Sequence, residues 1–150
     1  MKTIALQLAA SFFGALGFSF LFNVEKKNLL PCSFGGILVW AVYLLANETF
    51  LLGVFLSAAI SAAACQLFAE MMARLLRAPT VTFCIPALVP LIPGGSLYRT
   101  MDGVISQNWD MFRFYGASTL KVALGIAVGL SFVSGTFYLF FQSRQKQKQK

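Results

Sequence analysis

The residues best able to bind a ligand lie in one run rich in proline, glycine and hydroxyl groups, at positions 86–99. The helix-breaking residues of the run are Pro86, Pro90, Pro93, Gly94 and Gly95. Together these residues cannot form an uninterrupted helix, because proline lacks an N–H and clashes with the preceding turn, and paired glycines disfavour helix. If the run lies in a membrane, its freed backbone groups must be buried in protein or line an aqueous cavity.

A helix that begins after the break predicts a carboxylate site. The N–H groups near Gly94–Leu97 could receive a carboxylate, since the first N–H groups of a helix have no acceptor within it. Ser96 and Tyr98 would add hydroxyls, and Arg99 could pair with an anionic group from the rim. The alternative is a tight turn between two shorter helices, in which both glycines serve backbone geometry only.

Enzyme chemistry is not expected. The chain has no histidine, so the commonest general base is absent. Its three cysteines have no Cys-x-x-Cys spacing, which predicts neither a disulfide nor a metal site. No phosphate loop or nucleotide fingerprint is visible, so no cofactor is expected. The carboxylates of Glu48, Glu70, Asp102 and Asp110 lie in flanks, so any proton relay is missing or supplied elsewhere.

The composition indicates that these residues belong to a membrane protein. Hydrophobic residues make up 58% of the 150 and charged residues 11%, and the apolar ones come in blocks long enough to cross a bilayer. We predict an all-α integral membrane protein with one transmembrane domain, residues 1–141, and about five transmembrane helices. Their predicted ranges are about 4–23, 29–46, 50–69, 79–98 and 117–141, the fourth being broken by the Pro/Gly run.

Three segments outside the main spans need interpretation. The first span also resembles a signal peptide because Lys2 precedes it, but its length and the lysines that follow it favour a retained helix. Residues 47–49 predict a very short turn. Residues 99–113 have mixed polarity and predict an amphipathic or surface segment.

Small residues at four-residue spacing predict two helix-packing faces. One contains Gly53, Ser57 and Ser61, followed by Cys65, and the other contains Gly125 and Gly129. Small side chains let a second helix approach closely within a membrane.

Basic residues favour an orientation with the N-terminus outside and the C-terminus in the cytoplasm. With five spans, eight basic residues then lie inside and four outside. The inside group is Lys26, Lys27, Arg74, Arg77, Arg144, Lys146, Lys148 and Lys150, and the outside group is Lys2, Arg99, Arg113 and Lys121. If the broken segment enters and leaves on one side, the N-terminus moves inside.

The net charge of +7 has its largest cluster at the C-terminus. Because this cluster directly follows an apolar run, residues 142–150 predict a basic cytoplasmic tail that anchors to anionic lipid, and no nucleic-acid partner is expected.

The chain resembles the threonine/serine exporter family, in its small-subunit type, over essentially its whole length. Two motifs carry the resemblance: Phe22-Asn23-Val24 at the end of the first span, and Pro86-x3-Pro90-Leu-Ile-Pro93-Gly94-Gly95-x2-Tyr98. The second is the more specific. The motif positions matched one at a time are Pro90, Pro93, Gly94, Gly95 and Tyr98, with Asn23 as a minor candidate, whereas Ser96 and Arg99 rest on the physical argument alone.

The resemblance implies half of a transporter. Some members of the family fuse two halves in one chain, whereas split members pair a short chain with a larger membrane subunit. The implied function is a subunit of a secondary exporter in the cell's inner or plasma membrane. Its implied substrates are small carboxylate-bearing metabolites such as threonine, serine or succinate. The alternatives are a membrane scaffold that does not transport, and a homo-oligomeric transporter that needs no partner.

Overall fold

The chain is built from α-helices. The computed structural model describes residues 2–148, with side chains from Thr3 to Leu139. The helices are α1 (Lys2–Leu21), α2 (Lys26–Leu44), α3 (Gly53–Leu76), α4 (Thr80–Leu88), α5 (Gly94–Ile105) and α6 (Trp109–Lys148). No strand occurs within residues 2–148, and the predicted all-α fold is confirmed. The predicted basic tail, 142–150, lies outside the described side chains.

Four helices are long and apolar enough to cross a membrane by themselves, namely α1, α2, α3 and α6. A fifth crossing results if α4 and α5 together form one broken span. The two helices meet at an angle of 53° across the predicted Pro/Gly break, where a 3₁₀ turn at Val89–Leu91 is followed by Ile92 and Pro93. The described residues therefore give four to five spans, in agreement with the prediction of about five.

Two connections between helices have a structure other than the one predicted from the sequence. A π-helical turn at Leu45–Thr49 prolongs α2 through the segment predicted as a turn. The amphipathic segment predicted at 99–113 is divided between α5 and α6. Helix α6 begins early because Asn108 caps it: the Asn108 Oδ1 accepts a hydrogen bond of 3.1 Å from the Met111 N–H.

Helix α6 packs parallel to α3 through Gly125 and Gly129. A Cβ at Gly125 would lie 2.6 Å from the Phe55 carbonyl oxygen, and one at Gly129 would collide with the Ala59 carbonyl oxygen. Ser57 and Ser61 of α3 are fully buried. Because Gly125 and Gly129 lack side chains, the two backbones can touch.

Gly53, which the sequence groups with this packing face, has another role. A Cβ at this position would meet nothing within 4 Å, so no packing contact requires the glycine. Its φ of +79° lies in the left-handed region that glycine adopts without strain. Gly53 therefore starts α3 and takes no part in the α3–α6 contact.

Helix α2 makes a second close contact, through Gly35 and Gly36, which the sequence interpretation did not identify. A Cβ at Gly35 would lie 2.8 Å from the Ala87 Cβ of α4, and one at Gly36 would lie 2.6 Å from the Ala15 Cβ of α1. These contacts hold α1 and α4 against α2, and so position the broken segment beside the C-terminal half of α2.

The first third of α6 extends beyond the start of α3. There it packs antiparallel against α5, with Gly103 close to the Phe112 backbone and Gly116 close to Thr100. We call α5 together with residues 109–122 of α6 the hairpin. Its exposed apolar side chains include Leu97, Tyr98, Met101, Ile105, Trp109 and Phe114.

Candidate functional site

Helix α5 begins at Gly94, where the carboxylate hypothesis needs a helix to begin. Its N-cap residue is Pro93, and no side chain caps the helix. The Gly94 N–H donates to the Ile92 carbonyl at 2.8 Å, and the Leu97 N–H donates to the Pro93 carbonyl at 2.9 Å. The N–H groups of Gly95 and Ser96 have no acceptor among the described residues, as expected for the first turn of a helix.

These two N–H groups lie beside a cavity of about 280 Å³. We call it the Gly94 cavity. It is lined by the break, Pro90–Ser96, together with Trp40, Tyr43, Val54, Ser118 and Val122. None of these side chains carries a charge. Its volume is at the small end of the range for ligand pockets, which suits a small metabolite.

Trp40 lines the same cavity and carries a buried donor. Its Nε1 is buried without a hydrogen-bond partner among the described residues, and its ring stacks on Tyr43 with centroids 5.3 Å apart. An unpaired buried donor costs about 1–3 kcal/mol, which a ligand oxygen would offset. Trp40 was not among the candidate residues of the sequence analysis, because nothing local distinguishes it from Trp109.

Trp40 also lines a neighbouring cavity of about 250 Å³, together with Gln7, Ser11 and Pro90. The Oε1 of Gln7 is likewise buried without a partner among the described residues. The residues that line the two cavities therefore include unpaired donors on α5 and α2 and an unpaired acceptor on α1.

Gly94 and Gly95 are explained neither by packing nor by backbone conformation. A Cβ at either position would meet nothing within 4 Å. Neither residue has a positive φ, so both conformations are open to other amino acids. This observation disfavours the interpretation in which both glycines serve backbone geometry only. Close approach of a ligand to the backbone remains as a reason for glycine here.

Three of the candidate residues lie away from the Gly94 cavity. Tyr98 is 73% exposed on α5. The Arg99 guanidinium donates to the Tyr115 hydroxyl at 2.5 Å and lies 5.1 Å from the centroid of that ring, so it is directed at α6. Asn23 lies at the other end of α2. The structure thus brings Pro90, Pro93, Gly94, Gly95 and Ser96 together, and separates Asn23, Tyr98 and Arg99 from them.

Asn23 lines a second large cavity, of about 340 Å³, which we call the Asn28 cavity. It forms where the α1–α2 connection, Phe22–Glu25, meets the start of α4 at Ala78–Thr82. Asn28 closes one wall and is 1% exposed. The sequence interpretation did not identify Asn28, although a polar residue directly before a predicted apolar span was an available signal.

The fold and the Gly94 cavity together define a multi-span membrane protein in which a broken helix lines a ligand-sized space. A family model described as "Threonine/Serine exporter, ThrE" matches residues 7–135, which include both cavities. The chain belongs to the threonine/serine exporter family, and the resemblance found in the sequence is confirmed. It is therefore a multi-pass membrane protein of an exporter family, which is a family of transporters and not of enzymes. Comparison with curated proteins and with solved structures gives no match.

Proposed function

We propose that the chain is one membrane subunit of a secondary exporter of small carboxylate-bearing metabolites, and that the Gly94 cavity binds the substrate carboxylate. One observation carries the proposal: α5 starts with two glycines that neither packing nor backbone conformation requires, and they face an open cavity. Glycine at these positions lets the substrate approach the backbone N–H groups.

The donors around the Gly94 cavity suit a carboxylate. The N–H groups of Gly95 and Ser96 carry the partial positive charge of a helix N-terminus, and the Trp40 Nε1–H is a donor only. Because no charged side chain lines the cavity, an anion binds through hydrogen bonds and the helix dipole, which permits release more readily than an ion pair would. These contacts serve threonine, serine and a dicarboxylate such as succinate alike.

A hydroxyl-bearing substrate would use the neighbouring cavity as well. A hydroxyl both donates and accepts. It can therefore accept from the Trp40 Nε1–H and donate to the Gln7 Oε1, the two buried groups that lack partners on this wall. Threonine and serine carry such a hydroxyl, and succinate does not.

A larger membrane subunit of the same family is the proposed partner. The hairpin presents exposed apolar side chains, including those of Leu97, Tyr98 and Met101, on the helix that starts at the cavity. A second subunit packed on this face would enclose the path on the side that α5 leaves open. The partner would also supply the proton-coupling carboxylate, since Glu48, Glu70, Asp102 and Asp110 lie near the ends of helices.

The proposed orientation places the Asn28 cavity on the cytoplasmic side of the inner or plasma membrane. Lys26 and Lys27 follow the α1–α2 connection, and Arg74 and Arg77 precede the α3–α4 connection. These two connections meet at the Asn28 cavity. The positive-inside rule then puts the N-terminus outside and the Gly94 cavity towards the exterior.

The scaffold and homo-oligomer alternatives draw on the small-residue faces. In the structure, Gly125 and Gly129 contact α3 of the same chain, and Ser57 and Ser61 are fully buried within the chain. Both faces are thus occupied within one chain, which favours the exporter subunit over docking through these faces.

Efflux from loaded vesicles tests the proposed function. Vesicles would contain this chain alone, a candidate larger subunit alone, or both, and threonine, serine and succinate would be compared in parallel. We expect efflux from the pair only. Efflux from this chain alone would support the homo-oligomer, whereas efflux from the larger subunit alone, unchanged when this chain is added, would support the scaffold.

A further inference from the structure

The Asn28 cavity is a separate site at the opposite end of the helix bundle. None of the residues that line it also lines the Gly94 cavity. Along α2, Asn28 precedes Trp40 by twelve positions, which corresponds to about 18 Å at a rise of about 1.5 Å per residue. A ligand in the Asn28 cavity would therefore not touch the proposed carboxylate site.

A buried amide in the wall of the cavity lacks a partner. Asn28 is 1% exposed, and its Oδ1 has no hydrogen-bond partner among the described residues. Leaving a buried acceptor unpaired costs about 1–3 kcal/mol. Because Asn28 lines the cavity and the terminal torsion of asparagine is broad, a small rotation brings its oxygen to the N–H or O–H group of a ligand.

The opposite wall is the N-terminus of α4. Pro79 is its N-cap residue, and no side chain caps the helix. The Thr82 N–H donates to the Pro79 carbonyl at 3.0 Å, which leaves the N–H groups of Thr80 and Val81 without an acceptor among the described residues. The Thr80 hydroxyl is directed at Glu70 of α3, at 3.3 Å. A helix N-terminus of this kind favours a carboxylate.

The polar groups around the cavity distinguish amino acids from dicarboxylates. Glu25 lines the cavity on the side of α2, and its carboxylate lies 2.7 Å from the Lys27 ammonium. The Lys27 ammonium offsets the Glu25 charge, so the discrimination comes from Asn28: a ligand ammonium donates to the Asn28 Oδ1, whereas a second carboxylate, which only accepts, cannot. The polar groups of the cavity therefore match a molecule with one anionic and one cationic end.

We propose that the Asn28 cavity binds a small α-amino acid, with its carboxylate at the N-terminus of α4 and its ammonium at Asn28 and Glu25. The inference rests on the proposed function, to which it adds a second binding site that selects amino acids over dicarboxylates. The Gly94 cavity recognises the carboxylate of the substrate, whereas the Asn28 cavity recognises both the carboxylate and the ammonium.

Protection of an engineered cysteine tests the site directly. Val81→Cys places a thiol on an exposed position that lines the cavity, while the three native cysteines are buried. We expect threonine at ten times its Kd to slow maleimide labelling of this thiol about tenfold, because about nine sites in ten are then occupied. Succinate at the same concentration should leave the rate unchanged. Equal protection by succinate would overturn the assignment to amino acids.

Two further variants separate binding from indirect effects. Leu75→Cys places a thiol at an exposed position on α3 outside the cavity, and threonine should not protect it. Asn28→Leu, made in the Val81→Cys background, keeps the side-chain size and removes the unpaired oxygen. Roughly tenfold more threonine should then be needed for protection, while the melting temperature stays equal or rises. A lower melting temperature with unchanged protection would show that Asn28 is structural and would overturn its role in binding.

The source of the ligand and the proposed function are tested separately. Labelling is measured in phosphatidylcholine vesicles with and without phosphatidylserine, whose headgroup carries an ammonium and a carboxylate beside its phosphate. Protection by phosphatidylserine but not by threonine would overturn the assignment to a free amino acid. If Val81→Cys is unprotected while the pair still exports threonine, the second site is overturned and the exporter stands. Protection without efflux would leave the site standing and count against the exporter.

Discussion

Replacing Gly95 by leucine separates a binding role from a structural one. A Cβ at Gly95 would meet nothing within 4 Å, and its φ is not positive, so leucine fits without a clash at that atom. Glycine in a helix is about 0.5–1 kcal/mol less favourable than alanine, and leucine is close to alanine. Gly95→Leu should therefore keep the free energy of unfolding or raise it by up to about 1 kcal/mol.

The same substitution should weaken substrate binding strongly. Gly95 lines the Gly94 cavity, so a branched side chain there should keep the substrate carboxylate away from the N-terminal N–H groups of α5. A hydrogen bond to a charged group contributes about 1.5–3 kcal/mol. Since about 1.4 kcal/mol is a factor of ten, loss of one such bond raises the half-saturating substrate concentration by roughly ten- to one-hundredfold.

Gly135→Leu is the matched control. Gly135 lies on α6, is exposed, has no positive φ, and a Cβ there would also meet nothing within 4 Å. It lines neither the Gly94 cavity nor the Asn28 cavity. Its replacement should change stability as Gly95→Leu does and leave efflux unchanged.

The assay is threonine efflux from vesicles that contain this chain and the proposed larger subunit, measured over a range of internal concentrations, with thermal unfolding of each variant alongside. Equal half-saturating concentrations for Gly95→Leu, Gly135→Leu and the unmodified chain, at equal protein levels, would refute the carboxylate role of the α5 N-terminus. A large loss of stability in Gly95→Leu alone would show that the glycine is needed for folding.

Three further predictions each concern one residue. Trp40→Phe removes the unpaired N–H but keeps a stacking ring, so the half-saturating concentration for efflux should rise about fivefold to tenfold without loss of thermal stability; an unchanged value would count against this donor. Gly129→Leu forces a side chain against the Ala59 carbonyl and should lower the free energy of unfolding by at least about 1–3 kcal/mol in a denaturation experiment, whereas Gly135→Leu should not. Tyr98→Ala should reduce copurification of the proposed larger subunit but leave substrate affinity unchanged in the complex that forms, and a changed affinity would place Tyr98 in the substrate path instead.

The membrane fold was largely predictable from local sequence. In apolar blocks of about 20 residues, the backbone N–H and C=O groups find partners within lipid only if each block forms a spanning helix. A run that contains Pro90, Pro93 and two glycines must interrupt a helix wherever it lies. Both statements depend on the backbone and on lipid alone, so they need no knowledge of the neighbouring helices. The Pro/Gly motif also carried the family resemblance, which the match over residues 7–135 confirms.

The tertiary structure decided which residues share a site. Spacing grouped Gly53 with Ser57 and Ser61, but its positive φ and open surroundings assign it to the start of α3. Sequence distance could not place Trp40 beside Gly94, because the contact depends on how α2, α4 and α6 pack.

Asn28 shows the same limit of what the sequence can predict. By itself it is one polar residue near the end of an apolar helix, where solvent or lipid headgroups could satisfy its amide. Only the packing of α1 and α4 around it buries the oxygen without a partner beside an open cavity. The sequence alone determined that the helices span the membrane and where one of them breaks, because those properties depend on local backbone chemistry and lipid. Packing determined which donors and acceptors meet, because that depends on contacts between helices distant in sequence.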